Sequence, residues 1–214
     1  MREQVDFTIP LGTWQGMPVR LHAHFLLFAA AVLYMAQVAA FAPPATTVDT
    51  GLLWLAAASL LVLYLSVVAH ELAHAWVAHR HRAGAEAIVI GPLGGLTEWE
   101  VRDDPKSEIY VHLAGPLCNL FLAFVPCYGV LHWLDPSVTI SGLLDPLQPQ
   151  GLPVGGGLTI AAVAGLAFWI NWTLFLINLF PAYPFDGGNI LRATVRLSRP
   201  QLSRDVATLL VARL

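Results

Sequence analysis

Apolar and polar positions fall into long blocks along this chain. Four stretches, Phe25 to Ala42, Leu52 to Ala69, Ile109 to Leu134 and Leu158 to Phe180, contain no Asp, Glu, Lys or Arg. Each reaches or exceeds the roughly 18 residues that cross a hydrocarbon core of about 30 Å as a helix. The pattern predicts membrane helices at about 24–42, 52–79, 108–134 and 157–180. Pro43-Pro44 closes the first helix and Pro181 breaks the fourth, while Gly155-Gly156-Gly157 makes a flexible approach to it. The other segments follow different rules. Residues 1–23 are mixed, with turn signals and a short extended stretch at the membrane surface. Residues 87–99 read as two β-prone stretches around Gly91-Pro92-Leu93-Gly94, a hairpin either dipping into the membrane beside a cavity or lying among headgroups. Residues 189–214 read as a basic helical stretch, and whether the natural protein continues beyond Leu214 is left open.

Composition agrees with this division. Apolar residues make up 57% of the 214 positions and charged residues only 12%, against about a quarter charged in a soluble domain. The fold class expected is an all-α polytopic membrane protein with at least four spanning helices, forming one membrane-embedded domain over 1–214. No space remains for a separate soluble domain. A net charge of -3 gives no reason to expect a nucleic-acid partner. The placement of the basic residues is more informative. All of them precede the first run, separate the second from the third, or follow the fourth, whereas 41–51 and 135–157 contain none. By the positive-inside rule, both ends and the middle loop are expected in the cytoplasm. Cys118 and Cys127 lie nine residues apart on one predicted helix, about 13 Å along its axis and on different sides, so no disulfide between them is expected.

The second run continues into His70-Glu71-Leu72-Ala73-His74. On an α-helix, positions i and i+4 share a face, so both imidazoles can bind one Zn²⁺ while Glu71 sits beside them to act on water. Ionisable groups inside an apolar helix are costly, which favours a functional site over a structural polar cluster. A catalytic zinc usually takes a third protein ligand. Asp186 is the best candidate, because prolines break the fourth helix just before it and it emerges at the level of His70 and His74. The alternative is a helix cap.

These residues carry a resemblance. His70 to His74, Gly115-Pro116-Leu117-Cys118-Asn119, and Asn178 to Gly188 in the pattern N-x-x-P-x-x-P-x-D-G-G together resemble the site-2 protease family of intramembrane zinc metalloproteases. The segment Gly16 to His24 is also similar to the approach to the first helix in compact members. The resemblance implies a three-helix catalytic core, one Zn²⁺ per chain held by His70, His74 and Asp186, and Glu71 as general base. It also implies cleavage of membrane-spanning segments in single-pass or polytopic substrates within the bilayer, as part of regulated signalling, in a prokaryotic plasma membrane. The connection between the third and fourth helices is too short for a PDZ domain. A regulatory partner or a homo-oligomer is left open.

Asn119 and Asn178 are candidate donors to the substrate backbone or a developing oxyanion, or else hydrogen-bonding links between helices. His22, His24, His79 and His81 read as interfacial, His112 and His132 lie near opposite ends of the third helix, and the tryptophans suit interfacial belts and packing. A competing function is a zinc-binding carrier or scaffold without proteolysis. Glu71 argues against it, since metal binding alone needs no base.

Overall fold

The computed structural model describes residues 7–41, 50–92, 94–101, 104–145 and 158–212. The chain opens with β1 (Thr8–Trp14) and β2 (Met17–His22), followed by α1 (Ala23–Ala40) and α2 (Thr50–Arg80). Then come β3 (Ile88–Ile90), α3 (Pro105–Leu122), a π-helical turn (Ala123–Cys127) and α4 (Tyr128–Leu134), which continues the same rod. A short α5 (Ile140–Leu143), α6 (Ile160–Asn178), α7 (Asp186–Ser198) and α8 (Arg204–Val211) complete it.

Four of these helical segments are long and apolar enough to cross a membrane. Their most apolar windows are only 11%, 11%, 28% and 33% buried, so most of that apolar surface faces outward, as it must against lipid. α2, α3 and α6 pack against one another as a three-helix core, whereas α1 leans on α2. The third span begins earlier than its apolar run. Asp104 accepts from the amides of Lys106 and Ser107 at 3.1 and 3.3 Å, and Pro105 occupies the first turn, where its missing N–H costs nothing. Farther along, Pro126 lies inside the π-helical turn, whose register change accommodates the hydrogen bond that proline cannot donate.

The expected hairpin at 87–99 is realised differently. Only Ile88–Ile90 forms a strand, and it runs parallel to β2, with Val19 opposite Ile88 and Leu21 opposite Ile90. The chain then doubles back, Leu96 N–H donating to the Val89 carbonyl at 2.8 Å, without building a second strand. The reason is local: Thr97 Oγ1 accepts the Val89 N–H at 3.0 Å and so replaces a ladder partner, and Gly94 adopts φ +147°. The antiparallel hairpin lies instead at β1 and β2, where Gln15 and Gly16 (φ 49° and 84°) make the two-residue turn that suits strand twist.

The C-terminal stretch divides into α7 and α8, with α7 starting at Asp186. Residues 155–157, 213 and 214, and most of the two connections free of basic residues, lie outside the described residues.

Candidate metal centre

His70 and His74 sit on α2 with their side chains buried, at 1% exposure each. Their orientation follows from a hydrogen-bond chain that can be read in one direction. Asn171 on α6 donates its amide to the Ala167 carbonyl at 2.8 Å and to Ser66 Oγ at 3.0 Å, so its Oδ1 is the acceptor facing α3. Asn119 donates to that oxygen at 2.8 Å, which turns Asn119 Oδ1 toward His70 Nδ1, 2.5 Å away. The Nδ1 proton of His70 is thereby assigned, and its Nε2 presents a lone pair. His74 repeats the arrangement, with Nδ1 donating to the Val111 carbonyl at 2.6 Å.

Asp186 meets these two nitrogens. Its Oδ2 lies 3.2 Å from His70 Nε2 and 3.1 Å from His74 Nε2, and the two nitrogens are 3.0 Å apart. Ligands at about 2.0–2.1 Å from a tetrahedral Zn²⁺ are themselves about 3.3 Å apart, so this triangle is close to one face of such a site. Its chemistry also fits: two imidazole lone pairs and a carboxylate oxygen repel one another unless a cation lies among them. Phe185 is the N-cap of α7, and Asp186 is the first residue inside the helix.

Glu71, also buried, offers a carboxylate oxygen within 4.8 Å of both histidine ligand atoms. It stands farther out than Asp186, with Oε1 3.9 Å from His70 Nε2. Its Oε2 accepts from Thr97 Oγ1 at 2.6 Å. Two close approaches make this packing possible. A Cβ at Gly115 would strike both His70 and His74, and one at Gly95 would overlap the Glu71 carboxyl group. The first glycine brings α3 onto the ligand face of α2, and the second brings the 94–97 segment over the acid.

The site encloses a cavity of about 30 Å³, room for about one water. Gly95, Thr97, Trp99, His112, Pro184 and Asn189 border both this chamber and an adjoining cavity of about 470 Å³ that extends to α7 and α8.

The structure brings His70, Glu71, His74 and Asp186 together. Asn178 lines the chamber wall and donates to the Leu174 carbonyl at 2.9 Å. Asn119 departs from the expectation of a substrate donor: it is fully buried, its amide is spent on Asn171, and its oxygen faces His70. Sequence reasoning passed over Thr97 and His112. Thr97 lay in a segment read as a plain hairpin. The helical spacing of His112 from Gly115 and Asn119 was its one available signal.

The chain matches the model of Peptidase family M50 over residues 58–213. It is 28% identical over 189 residues to zinc metalloprotease MJ0392 of Methanocaldococcus jannaschii, covering 88% of this chain and 46% of that protein. It is 32% identical over 192 residues to the putative zinc metalloprotease Rip3 of Mycobacterium tuberculosis, covering 86% of this chain and 43% of that protein. The chain thus spans less than half the length of these curated relatives. Among solved structures, the site-2 protease from Methanocaldococcus jannaschii matches with a TM-score of 0.59 at 26% identity, over 90% of this chain and 74% of that one.

Proposed function

Because the chain belongs to Peptidase family M50, we propose that it is a zinc-dependent membrane endopeptidase that hydrolyses peptide bonds within membrane-spanning segments of other membrane proteins. The observation that carries this reading is the convergence of three atoms of ligand type, His70 Nε2, His74 Nε2 and Asp186 Oδ2, beside a buried Glu71. In this reading those three residues hold one Zn²⁺ and Glu71 is the general base. A zinc ion there supplies Lewis-acid polarisation of the scissile carbonyl and acidification of water.

The protein's residues do the rest. Glu71 accepts a proton from the attacking water as its oxygen bonds to the carbonyl carbon, then gives that proton to the amide nitrogen as the C–N bond breaks. The products are a carboxylic acid and an amine, which become carboxylate and ammonium as the second proton of the water passes from one to the other. Thr97, donating to Glu71 Oε2, leaves Oε1 as the oxygen directed toward His70. Asn119 acts through His70, fixing its ring. Asn178, in the chamber wall, is our candidate contact for the substrate backbone. A chamber of about 30 Å³ admits water but no peptide, so the 94–99 segment moves aside when substrate enters and the substrate helix unwinds locally to expose its peptide bond.

We also read the protein as residing in a prokaryotic plasma membrane, acting in regulated signalling, with both ends of the chain cytoplasmic. An introduced cysteine near residue 49 that labels only from the cytoplasmic side overturns that orientation.

The central test is cleavage of reporter helices by purified protein in zinc-containing proteoliposomes, with Glu71→Gln in parallel. The wild type cleaves within the spanning segment, and Glu71→Gln retains stoichiometric zinc while losing about 10²–10⁴-fold in rate. Zinc bound by both with cleavage by neither favours the carrier or scaffold instead.

A further inference from the structure

We propose that His112 is a positioning residue that fixes Asp186 as a one-oxygen ligand, an inference that rests on the reading of Asp186 as the third metal ligand. α3 turns Glu108, His112, Gly115 and Asn119 inward, all buried, at helical spacings of four, three and four. Gly115 and Asn119 face the histidines of α2. His112, one turn earlier, reaches the start of α7. Its Nδ1 lies 2.9 Å from Asp186 Oδ1, while Asp186 Oδ2 is the oxygen shared between His70 and His74. The two carboxylate oxygens are therefore divided, one toward the metal position and one toward His112. An ionised carboxylate only accepts, so Nδ1 carries the proton and donates.

This division has consequences for metal binding. The terminal torsion of an aspartate is broad and roughly two-fold, and Asp186 is the first residue of α7, beside a cavity with room for water. Without a donor on Oδ1 the carboxylate can swing, offer both oxygens to the metal, or turn one to solvent. Groups that orient a metal ligand in this way change affinity or activity by about 10–100-fold when removed. In the usual arrangement a carboxylate orients a ligating histidine, and here a histidine orients a ligating carboxylate. His112 itself stands outside the ligand triangle. Its ring centroid is 6.1 Å from that of His74, against 4.6 Å between His70 and His74.

The test measures zinc affinity of the full chain in detergent by chelator competition, together with kcat and KM for a reporter helix at saturating zinc. His112→Phe fills the volume without a donor, and His112→Gln keeps an N–H for Oδ1. We expect His112→Phe to raise the zinc Kd by about 10–100-fold and lower kcat more than it alters KM, with His112→Gln restoring the Kd to within about threefold. Asp186→Ala weakens zinc further, and adding His112→Phe to it costs nothing more, because His112 acts only through Asp186. Wild-type zinc affinity in His112→Phe alongside a weakened Asp186→Ala overturns the role of His112 and leaves the ligand reading intact. Additive losses in the double variant overturn it as well, by making His112 an independent ligand. Wild-type affinity in Asp186→Ala overturns the ligand reading itself.

Discussion

Where α3 meets α7, buried charge occurs twice, about one helical turn apart, and the two places are built on opposite principles. At Glu108, 1% exposed, three arginines approach one carboxylate among the described residues. Arg192 donates to Oε1 from both Nε and Nη2, Arg196 Nη1 lies 3.5 Å from Oε2, and Arg204 Nη2 of α8 lies 3.6 Å from Oε1. At Asp186, beside His112 one turn along α3, lone pairs and a carboxylate oxygen converge, and among the described residues no arginine or lysine pairs with them. A cluster completed by its own side chains works as a fastener, and one that lacks its counter-charge works as a receptor for it. The fastener serves the receptor: by pinning α7 and α8 to α3, Glu108 sets where the first residue of α7 comes to rest.

The largest effect we expect falls on the fastener. Glu108→Ala removes the buried anion shared by Arg192, Arg196 and Arg204, a change worth about 3–5 kcal/mol. It should appear as a sharply lowered unfolding temperature in detergent, whether or not zinc is supplied. A Glu108→Ala protein that unfolds like the wild type but no longer retains zinc breaks the comparison, since the cluster would then be tuning the metal site rather than holding helices.

A smaller effect is expected at Asn119, which belongs to the receptor. Asn119→Leu removes the acceptor that assigns the His70 proton, and the zinc Kd should rise about 10–100-fold, equivalent to about 1.4–2.7 kcal/mol. Unchanged affinity, measured by chelator competition, would show that the ring of His70 is held by packing alone.

The two regions also differ in how much of each the sequence disclosed. His70, Glu71 and His74 were legible because their spacing is imposed by one helix, and Asp186 because prolines and glycines flank it at the end of a membrane span. The four apolar spans were legible for the same reason: length and composition suffice. Glu108 with its arginines was not, because the cluster is assembled from three helices, and along the chain Arg192, Arg196 and Arg204 read only as topological markers. The sheet escaped likewise. β2 and β3 are separated by two membrane helices, and local β propensity at 87–99 cannot reveal that Ile88–Ile90 pairs with Val19 to Leu21 while Thr97 takes over a ladder amide. Asn119 was noticed as an amide in an apolar helix, but its direction depends on Asn171 and Ser66, residues of two other helices.

The smallest effect should come at Thr97, where the sheet and the receptor touch. Its hydroxyl accepts from Val89 N–H and donates to Glu71 Oε2 at 2.6 Å, so the strand that anchors the loop also orients the base. Thr97→Val keeps the shape and removes the donor, a loss of about 1 kcal/mol, or about fivefold in kcat. Zinc affinity should stay at the wild-type level, because Thr97 touches neither histidine nor Asp186, and Thr97→Ser should recover the rate. A Thr97→Val protein that loses zinc in proportion to activity would place Glu71 among the ligands, and the receptor would then have two carboxylates rather than one ligand and one base.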